Sequence, residues 1–188
     1  MMQTAIGPDA WDAARDGCLP AATFRQALGR FGSGVTVVSV ASANGYHAMT
    51  ANAFMSISLD PPLIAISVAR KARINEHLAL GTRFGISVLS EYQQPLALHF
   101  GGRADPDLFP PIDWERGVPL MADSAATFVA KVHQIHDGGD HRIFVAGLLQ
   151  LQWKEADPLL FWGGSFGEFR ARRPAPGGFL PPVPDFWC

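Results

Sequence analysis

The chain has 188 residues, 48% of them hydrophobic and 17% charged, with 15 basic against 17 acidic side chains and a formal net charge of −2. That balance excludes a basic nucleic-acid binder, a collagen-like repeat and a disordered acidic segment. A chain of this length removes roughly 70% of its unfolded surface from water, enough to build one core without cross-links.

Residues 1–22 mix Gly, Pro, Asp and Trp without a period and read as an N-terminal extension. They lack the basic and apolar pattern of a signal peptide, and no run in the chain approaches the roughly 18 apolar residues of a membrane span. Two cysteines, Cys18 and Cys188, are not the framework of a small secreted domain. A cytoplasmic protein, bound neither to membrane nor to nucleic acid, is the expectation.

From Thr23, the Thr23/Gln26 capping spacing and the period of Phe24, Ala27, Leu28 and Phe31 predict a short amphipathic helix, stopped by Gly32 and Gly34. Val35 to Val40 is a β-branched strand, and Asn44-Gly45 after it signals a hairpin. The return segment runs from Tyr46 to Leu59, and Leu63 to Val68 makes a third strand after Asp60-Pro61-Pro62. Arg70 to Leu78 reads as a helix ending at Gly81, Phe84 to Leu89 as a strand, and Glu91 to Phe100 as a helix capped by Ser90. Gly101 to Asp123 reads as loop, followed by strands Thr127–Ile135 and Ile143–Trp153 about the turn Asp137-Gly138-Gly139-Asp140, and a last strand from Pro158 to Trp162. This hairpin-rich order predicts a mainly β protein, a small antiparallel barrel with a few short flanking helices, over 23–170. Residues 171–188 form a Pro-rich tail whose Phe179, Phe186 and Trp187 suit packing along a neighbour.

Three constellations bear on chemistry. Ser67 to Arg73 holds Arg70, Lys71 and Arg73 at the predicted start of a helix, where backbone N–H groups, a hydroxyl and cations could converge on a phosphate; the alternative is a solvated positive turn. Met49 to Ser56 is small and polar where a strand should be β-branched. Thr50 and Asn52, at i and i+2, would share one face and suit the hydrogen-bonding edge of a heteroaromatic ring, although an edge strand facing water would look the same. The turn His136 to His141 offers metal-like residues, but His133 and His136 are three apart on a strand and face opposite sides, so no metal is assigned. His141 beside Asp140 suits proton handling or hydrogen bonding. No Walker A sequence, dinucleotide fingerprint or nucleophile elbow is present, so in an enzyme of this sequence a bound cofactor would carry the chemistry.

In order, Gly34 to Val38, Met49 to Leu63 and Gly138-Gly139-Asp140-His141 resemble the short-chain flavin reductase family, the reductase components of two-component flavin-dependent monooxygenases. The resemblance spans Thr23 to Phe169. It implies an FMN-binding split β-barrel, usually a homodimer with flavin near the interface. It further implies NADH or NADPH as hydride donor, FMN or FAD as acceptor, and reduced flavin diffusing to an oxygenase. By position, Met49, Thr50, Asn52 and Ala53 would meet the isoalloxazine, and Ser67, Lys71 and Arg73 the phosphate, with Val68 and Ala69 between them. Gly101 and Gly102 match a flavin-touching loop, and His141 the histidine near the nicotinamide. Phe166 stands where relatives often carry the tyrosine of a Gly-x-Tyr. A non-catalytic flavin electron carrier of the same fold is the alternative, and a haem-binding or pyridoxamine-phosphate-oxidase-like protein a third; the Gly-Asp-His turn favours the reductase over both.

Overall fold

A computed structural model describes residues 20–170; the tail 171–188 and most of the N-terminal extension lie outside them. Helix α1 covers Ala21–Leu28, and two short strands, β1 (Ser33–Gly34) and β2 (Thr36–Ser42), bracket Val35. The helix starts two residues ahead of the expected Thr23, at Ala21, with Pro20 in the N-cap position, and no side chain caps it. Ala21 and Ala22 are strong helix formers and the proline sets φ at −55°, so the Thr23/Gln26 spacing is not used.

β2 turns back as β3 (Gly45–Ala51), pairing Ser42 with Gly45 at the expected hairpin. The return segment is not one strand. It breaks at Asn52-Ala53 and resumes as β4 (Phe54–Leu59), which pairs with β5 (Pro62–Ala69). With β6 (Arg83–Val88), β9 (Ala126–Gly138) and β10 (His141–Trp153), these strands form a seven-stranded antiparallel sheet ordered β3-β2-β6-β9-β10-β5-β4. The two edge strands, β3 and β4, are thus consecutive in the chain but stand at opposite ends of the sheet. Both feed one core: Val38, Ile66, Ile74, Phe84, Ile86 and Phe144 are buried in it, with Met49 and Ala51 of β3 and Phe54 of β4 packed beside them. A sheet whose two edges share one core is curled into a barrel, and the seam between β3 and β4 is where it stays split.

Two expectations fail for local reasons. Arg70 to Leu78 is no α-helix: after a turn, only Arg73–Glu76 makes a single 3₁₀ turn. The Asn75 amide donates to the carbonyls of Ala69 and Ala72, both at 2.8 Å, a side-chain competition that disfavours a continuous helix. Gly101 to Asp123 is not all loop, because β7 (Ile112–Glu115) and β8 (Val118–Met121) form a hairpin. Its turn puts Arg116 and Gly117 both at positive φ, 52° and 76°, the demand of a tight two-residue hairpin. β8 is buried and lies so close to β6 that a Cβ on Gly85 would come within 2.6 Å of Leu120 and 2.7 Å of the Pro119 carbonyl. The helix after Ser90 starts as a 3₁₀ turn (Glu91–Gln93) and continues as α2 (Gln94–Phe100), with the Ser90 N–H donating to Gln93 Oε1 at 3.0 Å. A small sheet of β1, β11 (Leu160–Trp162) and β12 (Ser165–Gly167) closes the chain against α1. There Gly163 donates to the Gly29 carbonyl at 2.8 Å, and the Arg30 guanidinium sits 5.6 Å from the Trp162 ring. No described helix is long and apolar enough to cross a membrane.

Candidate active site

The crossover Asn52-Ala53 bridges the seam, and the Ser67 N–H holds it by donating to the Ala53 carbonyl at 3.1 Å. Cavities open on its two sides. A groove of about 750 Å³ is walled by Leu28, Phe31, Ser33, Asn52 to Ser56, Ala65 to Ser67 and Ile143. A second, of about 490 Å³, is lined by Thr50, Ala51, Asn52, Gln94, Gly101, Arg103, Phe161 and Phe166, among others. Asn52 belongs to both. It does not continue β3 beside Thr50, as i and i+2 on one strand would; it stands past the strand end, exposed at the seam. The Thr50 hydroxyl donates to the Ala97 carbonyl at 2.8 Å, which fixes α2 against β3.

Alternation along β5 and β10 sorts the remaining residues. Ile64, Ile66, Val68, Phe144 and Ala146 point into the core, so Ser67, Ala69, His141 and Ile143 lie on the outer face. Across the ladder Ser67 pairs with Ile143, and Ala69 with His141. The outer face therefore carries a line from Asn52-Ala53, through Ser67, to Ala69 and His141, with Lys71 and Arg73 exposed just beyond it. Val68 is wholly buried, and the Met49 side chain packs against the core on the face opposite Thr50, so each can offer a ligand on the outer face only its backbone. Gly101 ends α2, where a Cβ would come within 2.7 Å of the Ala97 carbonyl. Gly102, with φ at 97°, lines neither cavity. Phe166 packs edge-on against Phe161, ring centres 5.4 Å apart, in the wall of the second cavity.

The phosphate argument changes with the fold. Without a helix at 70–78 there is no macrodipole, and what remains is a turn bearing Lys71 and Arg73. The neighbouring hairpin is tight: Gly138 pairs with His141, and Gly139, at φ 67°, holds the first of two turn positions, as a II′ turn needs. His141 is half-buried, and its Nδ1 lies 2.6 Å from Asp140 Oδ1. The hydrogen bond from His141, followed by its charge and that of Lys71, holds the Asp140 carboxyl below its usual range. An ionised acceptor on Nδ1 makes that nitrogen the proton-bearing one and leaves Nε2 for a ligand. Among the described residues no three potential metal ligands converge.

Sequence reasoning missed the groove's apolar wall and Ser33. The wall comes from residues distant in sequence, Leu28 and Phe31 against Met55 and Ile143, so no local pattern marks it. Ser33 Oγ is buried in that wall with no hydrogen-bond partner. A buried orphan hydroxyl calls for a polar ligand, and a groove of this volume, apolar with few polar groups, suits a flat heteroaromatic such as a flavin.

Comparison with known proteins shows the family. Residues 28–170 match the family model described as flavin reductase like domain. A relative from Rhodococcus sp, an NADH-dependent flavin reductase, is 41% identical over 161 residues, 83% of this chain and 91% of its own. The reductase component of a 4-hydroxyphenylacetate 3-monooxygenase from Thermus thermophilus is 37% identical over 143 residues, 74% of this chain and 89% of its own. Among solved structures, the Streptomyces globisporus NADH:FAD oxidoreductase SgcE6, in complex with NAD and FAD fragments, superposes with a TM-score of 0.72 at 35% identity, covering 80% of this chain and 93% of that one.

A titratable pair stands beside the Arg73 turn. The His47 ring lies 5.4 Å from that of His77, and burial, then His77, then Arg73 push the His47 pKa below 6.5, opposed by Glu76. The folded state thus resists a proton that the unfolded chain accepts, so the contribution is complete above pH 6.5 and is lost as pH falls through that value toward the depressed one. His47→Gln is expected to lose less stability than wild type between pH about 7.5 and about 5.5 in urea titrations; parallel losses would contradict this. The fold and the matched sequence together make this chain a member of the flavin reductase family, with a split-barrel body.

Proposed function

We infer that the protein is an NAD(P)H:flavin oxidoreductase, which passes a hydride from NADH or NADPH to FMN or FAD and supplies reduced flavin to a partner oxygenase. The observation that carries the reading is the single line of residues on the outer face from Asn52-Ala53 through Ser67 to His141, at the end of an apolar groove. The names of the relatives, a flavin reductase and a monooxygenase reductase component, support turnover over a passive electron carrier.

When bound, the flavin supplies N5 as the acceptor of the hydride leaving the nicotinamide C4. The chain's own work is to bind and orient. Thr50, Asn52 and Ala53, with the backbone of Met49, would edge the ring, while Gly101 and Phe166, in the wall of the second cavity, would close its far side. Ser67, Lys71 and Arg73 take the phosphate, with the backbone of Val68 and Ala69 leading to them. Leu28, Phe31, Met55 and Ile143 keep water from the reacting rings. His141 turns Nε2 toward the nicotinamide, with Nδ1 committed to Asp140. Hydride transfer asks for stacked rings about 3 to 3.5 Å apart and no acid or base, so placement dominates.

The protein acts as a homodimer in the cytoplasm, its reductase domain spanning 23–170 between an N-terminal extension and a C-terminal tail. Helix α1 buries none of its residues, and Phe24, Leu28 and Phe31 are 54, 57 and 81% exposed. An eight-residue helix is too short to persist on local bonds alone, and this apolar face continues into Met55 and Ile143 of the groove. A second copy covering it would complete both the helix's packing and the groove. Sedimentation is expected to give a dimer, and a monomer at micromolar concentration would refute this.

NADH and NADPH oxidation, followed by nicotinamide absorbance with FMN, FAD or no flavin added, tests the function. Turnover that depends on flavin is expected; a flavin-binding protein inert to both nucleotides would be the electron carrier instead. His141→Ala is expected to lower turnover about tenfold or more with little change in flavin affinity. Equal loss in both would remove His141 from the nicotinamide side.

A further inference from the structure

We propose that Arg70 is a positioning residue, which clamps the β9–β10 hairpin so that Asp140 and, through it, the His141 imidazole are held for nicotinamide; this rests on the reductase reading above. The ladder between β5 and β10 stops at Ala69 and His141. Beyond that point the hairpin tip would be secured on the β9 side alone. Arg70, the next residue of the β5 chain, extends the grip by three hydrogen bonds. Its backbone N–H donates to the Asp140 carbonyl at 2.9 Å, its Nε to the Gly139 carbonyl at 2.8 Å, and an Nη to Asp137 Oδ1 at 2.6 Å. The guanidinium therefore spans both the last residues of β9 and the turn, which a point donor cannot do.

Asp140 needs that support. Its side chain is 94% exposed, and its one hydrogen-bonded side-chain partner among the described residues is His141. The direction of His141 Nε2 thus follows the position of a carboxylate that only the turn's backbone fixes, and that backbone is what Arg70 holds. The segment that continues from Arg70 carries Lys71 and Arg73, so the clamp also sets how far the proposed phosphate grip stands from the imidazole.

The test compares wild type, Arg70→Gln, Arg70→Lys and Asp137→Asn in three measurements: flavin affinity by fluorescence quenching, NADH kinetics at saturating flavin, and the ring resonances of His141. Arg70→Gln is expected to lower kcat/KM for NADH about tenfold with flavin affinity within about twofold, and to shift the His141 ring resonances. Arg70→Lys should recover only part of the loss, and Asp137→Asn, which keeps the Nε contact, should show a smaller loss of the same kind. If Arg70→Gln fails to fold, Asp137→Asn decides by the same criteria. NADH kinetics within about twofold of wild type, or flavin affinity falling in step with turnover, would overturn the proposal. A wild type that does not oxidise NADH would instead sink the reductase reading, and the clamp then stands or falls on whether the His141 resonances move in Arg70→Gln.

Discussion

Everything at this site depends on one backbone constraint: the chain leaves the sheet at one edge, β3, and re-enters it at the other, β4, through two residues. Asn52 and Ala53 therefore cannot bury a side chain in the core or join a ladder on both sides. They are pinned by the Ser67 N–H to the Ala53 carbonyl and, one residue earlier, by the buried Thr36 hydroxyl donating to the Ala51 carbonyl at 2.7 Å. A β-branched pair here would hinder the close approach of a flat ring; a small amide-bearing pair permits it and offers hydrogen bonds. The seam of the split barrel is thus, as a direct result of topology, suited to the binding edge we propose.

The second consequence is an imbalance of surfaces. The barrel interior is well satisfied, with Phe84, Phe144, Ile66 and Ile86 fully buried, while the outer face at the seam leaves Phe31, Met55 and Leu28 more than half exposed. Apolar side chains exposed together along one groove mark an interaction site. Here it coincides with the groove that holds Ser33 Oγ without a partner, so in the proposed function the same surface would serve ligand and second copy. The cationic turn and the Asp140–His141 pair lie farther along the same outer face, beyond Ser67 and Ile143 of the groove, where the proposed function would put the phosphate and the nicotinamide.

Much of this was legible in the sequence, and the reasons for the rest are physical. Val35 to Val40, Leu63 to Val68 and the long hairpin about Gly139 announce themselves by β-branching and turn chemistry, and the mainly β order follows from them. The β7–β8 hairpin hides because Pro110, Pro111 and Pro119 read as loop, although Pro119 sits in a strand whose carbonyl accepts the Ser39 hydroxyl. The helix expected over 70–78 fails through one side chain, Asn75, taking the backbone carbonyls. For the candidate site, the order of small and polar residues singles out Thr50, Asn52, Ser67 and His141, but strand parity, visible only with the register, turns Met49 and Val68 inward. The apolar wall from Leu28 and Phe31 is a long-range contact that no window of sequence contains.

The most direct test of the central claim, that the seam at Asn52-Ala53 is the flavin edge, is a crystal structure of the protein with FMN bound. The account predicts the isoalloxazine along Asn52-Ala53 with its phosphate at Ser67, Lys71 and Arg73. A flavin seated instead wholly behind Phe166, with its phosphate on Arg103, would contradict it.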